Sequence, residues 1–538
     1  MKQILAIFVK DARHLWLEIL VSLATATALA LVYPNHWLVT ESLHGQMLGS
    51  LAFSEGTLSF LASCLIVLLP VSWWILMARA VHAERLVGNT QFWLTRPYQW
   101  PLLLASKILF LVAFVCIPFF LAQCSLLVEA GFRPLPYLNG LLLNLFLITS
   151  VILLPLLALS TLTSSFAKMT LALLGVVAFF AAVQIIGSLA PANTTGNIPS
   201  PIGGDIALLI LVIGCIAVVL VQYASRRLPL AWILMLAVVV SLCALPYFDP
   251  TQWSINHYYP LPPSGVPAPV NFTYASGPGS TRLPLTVETK DKGELEISIP
   301  VRASETVAGY AAVPIALKAK FDSPEGAHWE STWQPVYNER YLPEGSDSTL
   351  RFRIRRAIFD QFRSMLITLH LDVAIDQAKT FSTVNIPLPS NEFTVPGFGI
   401  CVPQVSSPEN PAQWTGISCR SAMRLPQLTY LSTHWTDTDC RSAMARSYLV
   451  PATAWTGSLN RAPADFGITS VWEVPLSLSN PWANYYEGQT PHLRHICPGT
   501  PVTFTSYAYA SHSAAEFTIQ NFWLPEISSD KLGAQGWK

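Results

Sequence analysis

Two imidazoles and a thiol fall within six residues in HLRHIC, 492–497. His492, His495 and Cys497 are all competent zinc ligands, but no carboxylate accompanies them and no close Cys pair has the spacing of a structural zinc site. They are read as packing residues or a disulfide arm. SFAK, 165–168, has the SxxK spacing of an acyl-transfer nucleophile with its lysine. It stands at the end of a long apolar run, and Lys168 is read instead as a topology anchor. HExxH, GxSxG and CxxC do not occur, and no GxxxxGK[ST] stretch is present to cradle nucleotide phosphates. Catalytic, metal-binding and cofactor-binding residues are therefore not assigned. Trp329, Trp333, Trp414, Trp435, Trp455 and Trp472 offer faces on which a sugar could stack; core packing explains them better.

The nine cysteines divide by context. Cys64, Cys116, Cys124, Cys215 and Cys243 lie inside apolar runs and read as small buried hydrophobes. Cys401, Cys419, Cys440 and Cys497 all lie in the second half, an even number that predicts two disulfides in an oxidising compartment, with three pairings open.

The richest short segment is HAERLVGNTQFWLTRPYQWPLLLASK, residues 82–107, wedged between apolar runs. VHAERLVG extends the preceding helix, with Glu84 and Arg85 exposed, and Gly88 with Asn89 permits a break. TQFWLTR then forms a short helix presenting Phe92 and Trp93 as a ridge beside Arg96, stopped by Pro97. Such a ridge either rests on the membrane surface, where Trp and Arg are favoured, or docks a partner.

The elements that must position this loop are membrane helices. The chain is 52% hydrophobic and 12% charged, where soluble domains carry roughly 25% charged residues. Seven apolar runs, near residues 15–33, 56–78, 102–126, 139–163, 169–190, 205–225 and 229–247, approach or exceed the roughly 18–20 residues of a helical span. Lys2, Lys10, Arg13, Arg79, Arg85, Arg96, Lys107, Lys168, Arg226 and Arg227 fall on one side if the spans alternate, and only Arg133 falls on the other. Cations flanking short loops stay in the cytoplasm. The amino terminus is thus expected inside and residues 250–538 outside a plasma (inner) membrane, with residues 1–14 an interfacial helix rather than a cleaved signal. Glu18 and Lys107, near span ends, are expected to snorkel to water. A net charge of zero, with no clustered basic face, gives no case for nucleic acid.

The transmembrane domain is drawn at 15–249 and a Pro/Gly-rich linker at 250–283. A sandwich-like β domain follows at 284–392, from the alternating runs LPLTVE, ELEISIPVR, YAAVPIALKAKF, TLRFRIR, MLITLHLDVAI and FSTVNIPL. One helix is expected within it at 357–365. Residues 393–538 are read as a second β-rich lobe holding the four outer cysteines, either a separate domain or an elaboration of the first sandwich.

In order, Glu84, Gly88, Leu94, Pro97, the run Leu102–Leu104 and Lys107 resemble the first cytoplasmic loop of the type-two ABC exporter permeases. KDARHLWLE, with Lys10, Asp11 and Arg13, resembles that family's amino-terminal interfacial helix. The resemblance covers residues 1 to about 225. It implies a coupling helix that docks on separate ATP-binding subunits, which would hold the ATP and Mg, and a second permease subunit in the same bilayer. Glu84, Arg85, Gly88, Phe92, Trp93, Arg96 and Pro97 would be contact residues in a non-enzymatic, exporting subunit. The chain departs from the family in its seventh run, its short external loop at 34–55 and its large outer half. A membrane-anchored ligand-binding or sensor protein is the other reading.

Overall fold

The computed structural model describes residues 2–43, 52–83, 99–189, 203–245, 250–260, 270–274, 286–291, 293–305, 309–336, 347–387, 392–405, 414–422, 429–435, 469–475 and 501–524. The first half is helical: α1 Lys2–His14, α2 Trp16–Leu43, α3 Ala52–His82, α4 Trp100–Leu111, α5 Ile117–Glu129, α6 Leu138–Ile148, α7 Leu154–Leu162, α8 Phe166–Leu189, α9 Gly203–Ala224 and α10 Leu228–Ala244. Helices α4 with α5, and α6 with α7, are continuous through one turn of π-helix each, so apolar helix stands at all seven runs. Among the described residues four stretches are long and apolar enough to cross a membrane: Cys64–His82, Trp100–Glu129, Leu135–Leu162 and Gly204–Ala224. A fifth is the pair Lys2–His14 and Trp16–Val32, bent by 77°. Phe166–Phe179 and Leu228–Ala244 are apolar but shorter.

The π turns, Val112–Cys116 and Thr149–Leu153, have a local cause. A proline inside a helix lacks the N–H and collides with the carbonyl four residues back. For Pro118 and Pro155 those carbonyls belong to Phe114 and Val151, each inside a π turn, where the widened helix relieves the clash. The two π turns meet across the helix pair, with Cys116 Sγ 4.0 Å from Thr149 Oγ1.

The second half is mainly β, in three antiparallel sheets among the described residues. In the first, β3 (Glu294–Glu305) pairs with β1 (Val270–Tyr274), β2 (Thr286–Asp291) and β7 (Asp347–Arg355). In the largest, β8 (Ile367–Pro387) lies between β4 (Tyr310–Asp322) and β14 (Pro501–Phe522). The two sheets share a buried cluster, in which Leu295, Ile297 and Ile299 join Leu369, Leu371, Val373 and Phe517. In the third, β10 (Gly399–Val405) and β11 (Trp414–Ala422) pair centrally. The helix expected at 357–365 forms as α12, Arg356–Phe362, burying Phe359 and Phe362.

Two expectations change. MLITLHLDVAI and FSTVNIPL are one strand, β8, because the intervening DQAKT has no glycine or proline to turn the chain. β14 pairs with β8 along its length, so one sheet takes strands from both sides of residue 392, as an elaboration of the first sandwich would. The stretch 250–283 is also more than a linker: it contains β1 and a further helix, α11, Pro250–Tyr258. Gln252 bonds both backbone groups of Trp333 (2.8 and 3.3 Å), Asn256 accepts from the Trp333 indole at 2.8 Å, and Tyr259 OH donates to buried Asp376 at 3.0 Å. Burial pushes the nearby Tyr509 hydroxyl up and the His512 imidazole down from their ordinary pKa values.

Cys401 and Cys419 stand directly opposite each other on β10 and β11 and form a disulfide, both sulfurs in the core with Phe393 and Phe504. Cys440 and Cys497 lie outside the described residues, as does HLRHIC. Peptide mapping without reductant is expected to return Cys401 linked to Cys419, and Cys440 linked to Cys497. Replacing Cys401 and Cys419 together by Ala should cost the β half about 3 kcal/mol, from the 18-residue separation of the two. Melting of the purified chain with and without reductant measures that loss; an unchanged midpoint would remove the bond from the list of stabilising features.

Candidate functional site at the cation-rich end of the helices

The loop residues Glu84, Arg85, Gly88, Phe92, Trp93, Arg96 and Pro97 all lie outside the described residues. Their two stems are described. The first is the end of α3, buried at Trp73, Leu76, Met77, Ala80 and Val81 and exposed at Ile75 and Arg79. Arg79 here forms an ion pair with Glu18 of α2. His82 Nε2 lies 3.2 Å from Thr163 Oγ1, tying the end of α3 to the end of α7.

The second stem is α4. Gln99 caps it in an extended conformation and Pro101 follows in its first turn, where a fixed φ and a missing N–H cost nothing. Leu103, Ser106, Lys107 and Phe110 form its buried stripe at helical spacing. That stripe faces α1, whose buried residues Ile7 and Asp11 are one turn apart. Lys107 Nζ donates to Asp11 Oδ2 at 2.7 Å, with the two side chains only 2% and 3% exposed. Phe8 stacks on Phe114 at 5.6 Å and meets Phe110 edge-on at 6.3 Å. The helix read as lying on the membrane surface is thus bent away from α2 and clamped to the loop's second stem.

Lys107 and Glu18 were expected to reach water. Each instead meets an opposite charge supplied by a helix packed beside it. Apolar packing closes the route to water around Lys107, and taking two ions out of water is offset only when each meets the other in good geometry. The partner of Lys107 lies 96 residues away; Asp11 was visible as the acid in a basic segment, and its assignment was not.

Ser165 Oγ accepts the Lys168 backbone N–H at 3.4 Å, so the serine of SFAK caps α8, and Lys168 is exposed. Among the described residues no group of three or more His, Cys, Asp or Glu is arranged to hold a metal ion. Trp333 is a core residue, 3% exposed. On the largest sheet, the hydrogen bond to Asp372 holds the Lys320 ammonium above its ordinary pKa, and Lys318 holds the Glu330 carboxyl below its own.

The β half reaches the helices at the opposite end. Ile400 of β10 joins the cluster containing Ala130 and Phe132, in the turn between α5 and α6. Gly131, at φ +89°, allows this approach: a Cβ there would stand 2.8 Å from Ile400 Cδ1. The His82–Thr163 contact and the Ile400–Gly131 contact therefore mark the two ends of the bundle.

No family model matches the chain, and no curated protein matches it. A solved structure titled pT26-6p is similar at 8% identity and a TM-score of 0.11, over 44% of this chain and 65% of that one. The chain spans less than two thirds of that structure's length, and a likeness so slight carries no argument about fold or function.

Proposed function

We propose that this chain is the membrane subunit of an ABC-type exporter that takes its energy from separate ATP-binding subunits. In this reading all seven apolar segments span the bilayer, the two β sheets sharing one core form an extracytoplasmic sandwich, and residues 84–97 receive the push of ATP-driven closure. The observation that carries the reading is the bracing of that loop's stems: Lys107 to Asp11 on one side, Arg79 to Glu18 and His82 to Thr163 on the other. A contact element on flexible stems would dissipate the push, whereas these pairs would carry it from one stem to α1 and α4 and from the other to α2, α3 and α7. Purification of the tagged chain from native membranes tests the proposal directly. An ATPase with a P-loop should accompany it, and its consistent absence would favour a sensor or binding protein.

Orientation is supported by charge and by packing together. The β half touches the turn beside Glu129 and Arg133, opposite the end that carries most of the cations. With Ser280→Cys and Gln99→Cys made separately, a membrane-impermeant thiol reagent on intact cells should label the first and spare the second. Labelling of Gln99→Cys alone would invert the topology.

A further inference from the structure

An open cavity of about 490 Å³ lies where the bend between α1 and α2, the end of α3 and the start of α8 converge, lined by His14, Ile75, Arg79, His82, Ser165 and Phe166 among others. Its walls differ in chemistry. Ile75 and Phe166 are apolar and exposed, as are the neighbouring Trp16, Leu17 and Leu20, a set suited to acyl chains. Arg79 stands four residues beyond Ile75 on the same helix face, about 6 Å along the axis, and His14 faces the same space. The Arg79 side chain remains 53% exposed despite its pair with Glu18. A guanidinium carries five donors, more than one carboxylate occupies.

We propose that this cavity holds the headgroup of an anionic phospholipid, its phosphate on Arg79 and His14 and its chains along Ile75 and Phe166. Charge complementarity selects an anion, since Arg79 and His14 line the cavity and Arg13 and Lys168 stand in the adjoining helix turns, against Glu18. The exposed apolar side chains of Ile75 and Phe166 in the lining favour a lipid over a free anion. Placement in the inner leaflet rests on the orientation proposed above; binding itself does not, and neither does it rest on the ATPase partnership.

The test uses the full chain in lipid nanodiscs of mixed phosphatidylglycerol and phosphatidylcholine, extracted and read by native mass spectrometry. The unaltered chain should retain phosphatidylglycerol preferentially. Arg79→Gln with His14→Ala should lower that retention roughly five- to tenfold, the effect of removing a cationic contact at a membrane surface. Arg133→Gln, at the other end of the bundle, should leave it unchanged. Equal retention of the two lipids by the unaltered chain would overturn the proposal without recourse to any variant. Wild-type retention in the double variant, or full displacement of the lipid by excess inorganic phosphate, would overturn it as well.

Discussion

Asp11→Ala should destabilise the helical half more than any other single change at its cation-rich end. The substitution leaves the Lys107 ammonium buried without its carboxylate, and breaking a buried pair in this way costs about 3–5 kcal/mol. Membrane abundance and the melting midpoint in detergent should both fall. Asp11→Leu with Lys107→Met should restore most of the loss, because replacing both ions by apolar groups of similar volume is often neutral or stabilising. The double variant also separates the roles of the pair. If the pair only holds α1 to α4, the apolar variant will stimulate its ATPase normally. If the charges register the loop's second stem during transport, stability will return while stimulation does not. A single Asp11→Ala variant as stable as the parent would refute the buried pairing itself.

Phe92→Ala with Trp93→Ala should abolish retention of the ATP-binding subunit while leaving the amount of chain in the membrane near normal. Buried aromatic anchors dominate interfaces, and each can contribute 2 kcal/mol or more, roughly thirtyfold in affinity. A ridge that merely rests on the bilayer would behave oppositely, with insertion modestly impaired and the partnership intact. Abundance and ATPase retention are therefore scored separately. A retained and fully stimulated ATPase would remove these residues from the docking surface. Gly88→Val offers an independent variant, since a β-branched residue resists a positive-φ break there and misaims the ridge without altering its chemistry.

The braced stems explain why the two experiments address one device. Phe92 and Trp93 would receive the force, and the Asp11–Lys107 pair would pass it to α1 and α4. At the far end, Ile400 against Gly131 and α11 clamped to Trp333 and Asp376 couple the β sheets to the same bundle. Motion between the helices would therefore reach the β half through two contacts rather than through a loose tether.

The apolar segments, the β character of the second half and the helix at 356–362 follow from local composition. A run of apolar residues in lipid must satisfy its own backbone as helix, and alternation with turn residues yields strands, whatever the rest of the chain does. The same holds for the prolines that widen two of the apolar helices. What the tertiary structure alone decided were meetings between distant residues. Cys401 faces Cys419 because the register of β10 on β11 sets them opposite, and β14 completes the sheet of β8 more than a hundred residues after it. Asp11 finds Lys107 because helix packing closes other routes to water, and a charge excluded from solvent must take the counter-charge that packing brings to it; Glu18 meets Arg79 because α2 packs beside α3. Periodicity identifies which face of an element is buried; it carries no record of which element buries it.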